Sequence, residues 1–299
     1  MSLRASPLPL GWALVLACVA GGLGAGACRG RAPAAPRADG VAPAAAVGAL
    51  PDADPVRVMT LSHDEVWRRL GPHRFQAKSK LRVTVGAEPP DVLDEEYVLE
   101  AGTAGAYRAL YQNSHDQGRE VVLVGGDLFV RPRYGTFIRR HPEQGEADRL
   151  RAETFGGLAA TVEVLGRFIQ ARADGQPTVG GRTARRLSFS VAPQPRAAPP
   201  APGPRHEWRA TVAVKRLGGS LDVDAQTGAP LACTLKAEYT FRRGAATATA
   251  EVDYEGTVAP GAEVAVSAPA HVPQPTRTRY HAERKELLKG LVPPGAGQP

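Results

Sequence analysis

Leu231-Ala232-Cys233-Thr234-Leu235-Lys236-Ala237-Glu238-Tyr239-Thr240-Phe241 places an apolar side chain at every odd position. Successive side chains of a strand point to opposite faces, so this period of two describes a strand greasy on one face and wet on the other. Ala246, Ala248, Ala250, Val252 and Tyr254 continue the pattern against Thr247, Thr249, Glu251 and Asp253. A strand of this kind belongs to an antiparallel sheet with one solvated face, and its other face needs a cover. Working back, Leu221 and Val223 lead into Asp224-Ala225-Gln226-Thr227-Gly228, a turn by composition. Trp208, Ala210, Val212 and Val214 form another face, as do Leu187, Phe189 and Val191.

The same period runs through the first half. Leu81, Val83 and Val85 alternate with Lys80, Arg82 and Thr84, Tyr97 and Leu99 with glutamates, and Tyr107, Ala109 and Tyr111 with Arg108 and Gln112. Val121–Val124 is a short apolar run, turned by Gly125-Gly126-Asp127 into Leu128-Phe129-Val130, and Gly135–Ile138 makes a further strand. Two helical patterns interrupt the strands. Ser62-His63-Asp64-Glu65 fits a capping box and Gly71-Pro72 a stop. From Glu146 to about Arg172, Leu150, Leu158, Val162, Leu165 and Ile169 recur at three- and four-residue spacing, which predicts one long helix. Gly156-Gly157 inside it implies a kink or break, or else close contact or movement.

The chain has 299 residues with 33 glycines and 27 prolines, so ordered and low-complexity stretches must alternate. A charge of +7 with 6% aromatics and no dense basic run excludes a nucleic-acid surface. Residues 1–27 read as a signal peptide: Arg4 begins it, a glycine-broken apolar stretch from Leu8 to Leu23 follows, and Leu23-Gly24-Ala25-Gly26-Ala27-Cys28 ends it. Cys28 is the expected lipid attachment site; Cys18, after Val15-Leu16-Ala17, and simple cleavage after Ala25 or Ala27 are the rival readings. Residues 28–55 form an Ala/Pro-rich tether spanning roughly 30 Å. The folded domain is expected over 56–292, with an exposed Pro-rich loop at 192–205, a short helix at 280–288 and a disordered tail at 293–299.

With Cys18 removed and Cys28 acylated, Cys233 cannot pair within the chain and reads as a small buried hydrophobe. The seven histidines have no ligand spacing, Asp222-x-Asp224 lacks the further carboxylates of a calcium loop, and no nucleophile elbow or phosphate loop is present. The expectation is no enzyme, no metal and no cofactor.

Gly219-Ser220-Leu221-Asp222-Val223-Asp224-Ala225-Gln226-Thr227-Gly228-Ala229-Pro230-Leu231, a strand carrying an aspartate, a T-G-x-P-type turn and a long strand, resembles the outer-membrane lipoprotein carrier (LolA-like) superfamily. That wider group includes the LppX/LprG-type lipid-binding lipoproteins and the periplasmic regulator RseB. The resemblance covers about residues 60–270. It implies an α+β fold, a half-open antiparallel β-barrel of about 10–11 strands with helices over its concave face. It also implies an apolar hollow suited to acyl chains, and the lipoprotein reading implies palmitate among the acyl groups on the chain. A lipidated chain fits a membrane-tethered receptor better than a soluble shuttle. The expected hollow is walled by Leu158, Val162 and Leu165 of the long helix, lying over Leu235, Ala248 and Val252, with Trp208 and Val212 beside them. The expected partner is membrane lipid or an acylated protein, bound by a monomer anchored through its N-terminal acyl chains. Arg29 after the cysteine leans the location towards the outer membrane. The alternative is a protein-binding envelope sensor or assembly factor without bound lipid.

The anchor is checked by fractionation. Cys28→Ser is expected to release the protein from membranes, and Cys18→Ser to leave it bound.

Overall fold

The computed structural model describes residues 54–198, 203–261 and 264–273. The signal peptide, Cys18, Cys28, the tether up to residue 53, the expected helix at 280–288 and the tail at 293–299 lie outside the described residues. Two antiparallel meanders run side by side. The first comprises β1 (His73–Val85), β2 (Asp91–Ala101), β3 (Tyr107–Asn113), β4 (Gly118–Val124), β5 (Asp127–Pro132) and β6 (Ile138–Arg140). The second comprises β7 (Ile169–Ala173), β8 (Thr178–Val179), β9 (Arg182–Val191), β10 (Ala213–Asp224), β11 (Pro230–Arg243) and β12 (Ala246–Pro260). They form one 12-stranded sheet ordered β6-β5-β4-β3-β2-β1-β12-β11-β10-β9-β7, with β8 paired to β9.

The sheet does not close on itself; β6 and β7 are its edges. Its two halves meet where β1 pairs with β12, from His73 opposite Pro260 to Val85 opposite Ala248 in unbroken register. Alternation decides the faces: Phe75, Ala77 and Val83 of β1 and Ala248, Ala250, Val252 and Tyr254 of β12 are buried on one side. Lysines, arginines, glutamates and threonines fill the other.

Four helices cover the apolar face: α1 (Pro55–Met59), α2 (His63–Leu70), α3 (Glu146–Phe155) and α4 (Gly157–Leu165). This is the expected α+β architecture, an open barrel-like antiparallel sheet with helices on one face. The capping box of α2 is formed: Glu65 N–H donates to the Ser62 hydroxyl at 3.3 Å, and Ser62 N–H to the Glu65 carboxylate at 3.0 Å. Gly71 ends the helix at φ +71°, a conformation L side chains resist. Because α3 and α4 connect edge strand β6 to edge strand β7, the chain between them must cross the sheet. Among the described residues no helix is long and apolar enough to cross a membrane.

Three expectations are corrected. The helix beginning at Glu146 does not reach Arg172: it breaks at Gly156, ends at Leu165, and after a 3-10 turn at Gly166–Phe168 the chain becomes β7. Ile169, which fits the helical spacing, is buried from a strand instead, because an apolar residue satisfies either period. Trp208 and Ala210 lie not on a strand but in a 3-10 stretch, Pro204–Thr211, where Pro at its start sets φ and removes a ladder donor. The Pro-rich loop is not wholly free: Arg196 forms a two-pronged pair with Asp54 at 2.7 and 3.1 Å, and its N–H donates to the Arg167 carbonyl.

Both readings of Gly156-Gly157 hold. The helix breaks there, and the second glycine also allows close contact, since a Cβ on Gly157 would stand 2.9 Å from Cζ of the Tyr97 ring. Gly157→Val is therefore expected to force α4 off β2 and cost about 1–3 kcal/mol, read as a lower urea midpoint with unchanged slope.

Candidate functional site

The residues expected to wall a hollow do come together. Leu158, Val162, Leu165, Val212, Leu235, Ala248 and Val252 are all buried in one apolar cluster, and Trp208, half-buried, packs against it and stacks on Phe241 with ring centroids 4.9 Å apart. What the sequence did not disclose is α1. Asp54 caps it by accepting from the Val56 N–H at 3.1 Å, Pro55 sits in its first turn, and it touches α4, β10 and β11. Val58 and Met59 go into the space under the helices, with Met59 Sδ 3.9 Å from Cys233 Sγ. Asp followed by Pro is a readable helix start. The alanine- and proline-rich stretch before it hides the signal.

Val58 and Met59 therefore occupy part of the space beneath the helices. A crevice beside them measures about 30 Å³ and is lined by Met59, Phe75, Phe155, Leu158, Cys233, Tyr254 and Val258. That is room for about two water molecules and far below the roughly 300 Å³ at which small-molecule pockets begin. Burial, with a smaller push from Asp222, raises the Cys233 thiol to about 12, so it stays a neutral hydrophobe at physiological pH. Among the described residues no group of three or more His, Cys, Asp or Glu is placed to hold a metal ion.

The larger concavity lies on the polar side of the sheet. A hollow of about 670 Å³ is bordered by Lys80 and Arg82 of β1, Glu251 and Asp253 of β12, Lys236 and Glu238 of β11, and Arg216 and Gly218 of β10. Its charges are largely paired: Lys236 with Asp253 at 2.9 Å, Lys80 with Asp94 at 3.5 Å, and Arg216 with Glu238. Exposed pairs of this kind contribute little to stability, so they remain available to exchange partners.

The segment that carries the resemblance is built for structure. Asp224 accepts from the Gln226 and Thr227 N–H groups at 3.0 and 2.7 Å and pairs with Arg182, which makes the turn. Asp222 is clasped by Arg186 at 2.7 and 2.8 Å. Burial alone would raise the Asp224 carboxyl, but Arg182 and the Thr227 donors outweigh it and hold it below its ordinary value. Gly219, at φ +141°, has no room for a Cβ, which would stand 2.1 Å from the Thr234 carbonyl oxygen. The end of α2 rests on this turn, because Arg69 donates to the Gly228 carbonyl at 2.9 Å.

No protein-family model matches the chain, and no curated protein matches it. Among solved structures it is similar to a LolA superfamily protein from Nitrosomonas europaea, at 10% identity over 66% of this chain and 93% of that one, with TM-score 0.20. It is similar to a putative outer membrane lipoprotein-sorting domain from Vibrio parahaemolyticus, at 8% identity over 66% and 91%, TM-score 0.23. It is also similar to the MucA/MucB complex structure from Pseudomonas aeruginosa, at 18% identity over 69% and 61%, TM-score 0.22. Likenesses of this size carry no argument about function, and the fold assignment rests on the strand order and register above.

Asp224→Ala would leave Arg182 and two turn amides without their acceptor. It is expected to cost about 2–4 kcal/mol in chemical denaturation, most of it above pH 4. A carboxylate held low in the fold adds stability above its unfolded value near 3.9, and that share is lost as pH falls through its folded value.

Proposed function

We propose that this chain is a cell-envelope binding protein, exported and anchored through Cys28, that works without catalysis and takes a polypeptide partner on its surface. The observation that carries this reading is the contrast between a buried apolar cluster under the helices, with a crevice of about 30 Å³ beside α1, and an open, charge-lined hollow of about 670 Å³ on the other face. A packed apolar interior is core, whereas a concavity with four cations and three carboxylates on its rim suits a polar peptide segment. The tether expected at residues 28–55, whose last two residues, Asp54 and Pro55, begin α1, would give the folded body reach from the membrane to meet such a partner.

One observation favours the second reading, in which Leu158, Val162, Leu165, Trp208, Val212, Leu235, Ala248 and Val252 enclose membrane lipid or the acyl chain of a protein. The crevice is filled by α1, a helix of only 5 residues, too short to hold its conformation without its packing. Its withdrawal opens an apolar space lined from both helices and sheet.

Val162→Trp separates the two. Val162 is 3% exposed, and in a close-packed core the larger side chain is expected to cost about 1–3 kcal/mol. Native mass spectrometry of the same preparation is expected to show a monomer with no retained lipid. Stoichiometric acyl lipid in the wild type, lost in a Val162→Trp protein of unchanged stability, overturns the surface-binding reading in favour of the lipid one.

A further inference from the structure

Helix α2 is fastened at several points. Trp67 Nε1–H donates to the Gly102 carbonyl at 3.3 Å, at the end of β2, and Arg69 reaches Gly228 in the β10–β11 turn. Asp64 pairs with Arg151 of α3 at 2.6 Å, and Val66 is fully buried. One small helix therefore ties together both meanders and α3.

Beneath it lies an arrangement that neither the fold nor the proposed function requires. His63 of α2 and His73 of β1 are 4% and 0% exposed, with ring centroids 5.2 Å apart. His73 Nδ1–H donates to the Gly71 carbonyl at 2.8 Å, which fixes its tautomer and leaves Nε2 as a bare lone pair. That Nε2 and both ring nitrogens of His63 have no hydrogen-bond partner among the described residues. Phe155 of α3 packs edge-on against His63, with centroids 5.5 Å apart, and also against Phe75 of β1. The charged groups facing the pair are few. Arg151 comes from α3, already shared between Asp64 and Asp148 and lying over the Tyr107 ring; Asp64 of α2 itself is 3.6 Å from His63 Nδ1.

We propose that His63 and His73 form an acid-sensitive latch, neutral when α2 is docked and driving α2 off the sheet when they take up protons. Two imidazolium ions about 5 Å apart in an apolar site, one of them beside the Arg151 guanidinium, have a single exposed carboxylate to offset them. Burial first, then Arg151, then His73 push His63 down to about 3 against the opposing pull of Asp64; burial lowers His73 despite its bond to Gly71. A base depressed in the docked state favours docking above its free value near 6.5. That preference is lost as pH falls below 6.5. Between pH 7.5 and pH 5 docking should weaken by roughly thirtyfold for each histidine that stays neutral, and by about nine-hundredfold if both do.

Hydrogen exchange of the full chain, read by mass spectrometry as protection factors between pH 7.5 and 5, tests this. Protection of residues 63–70 is expected to fall by the factors above while that of β11 and β12 persists. The variant His63→Leu/His73→Asn, which keeps a donor for Gly71, is expected to flatten the dependence. Constant protection of residues 63–70 in the wild type, or an unchanged pH dependence in the variant, overturns the latch. If the variant fails to fold, imidazole proton shifts of the wild type decide: midpoints near 6.5 for both histidines with α2 still docked overturn it, and silence until α2 opens upholds it.

Discussion

The pairing of β1 with β12 is the constraint on which the rest depends. Strands at opposite ends of the folded sequence lie side by side over the full 13 residues of β1, and each half of the sheet hangs from that seam. Such a contact closes the longest loop in the domain, so its entropy cost must be met by the cross-strand burial it creates. Ala248, Ala250 and Gly256 on β12 keep that seam thin. A Cβ on Gly256 would stand 2.5 Å from the Tyr254 hydroxyl, so the bare glycine gives the buried Tyr254 ring its place.

Once the seam is formed, the topology dictates where the helices go. The meanders leave β6 and β7 as the two edges, and the segment joining them has to traverse the apolar face. It does so as α3 and α4, while α1 and α2 fill what is left ahead of β1. The helices are short and weakly self-sufficient. Their stability comes from side chains such as Leu165 and Val66, each buried completely and contributing about 1.5–3 kcal/mol. An interior assembled this way is filled by whatever chain lies nearest, here Val58 and Met59 of α1.

Buried charge follows a different logic on the two faces of the sheet. Asp222, Asp224 and Glu120 are each matched by arginines at hydrogen-bonding distance, so that their desolvation is offset where they stand. His63 and His73 avoid the same cost by remaining neutral, which ties their placement to the pH around the protein.

Much of this was written in local pattern. The alternation of Leu231–Phe241 and Ala246–Tyr254, the capping box at Ser62–Glu65 and the Asp224–Gly228 turn are visible in the residues because each depends on neighbours within a few positions. The candidate wall residues from Leu158 to Val252 were also legible, since periodicity says which side chains face inward. Whether inward-facing residues enclose a space or fill one depends on distant chain. Met59 meets Cys233, Gly157 meets Tyr97, and His63 meets His73 only after the seam has set the register. The sequence by itself determined the sheet, its faces and its turns. The tertiary structure alone decided the order of the strands, the packing of α1 into the interior and the burial of the histidine pair, because volume and burial are properties of contacts between segments and no local period encodes them.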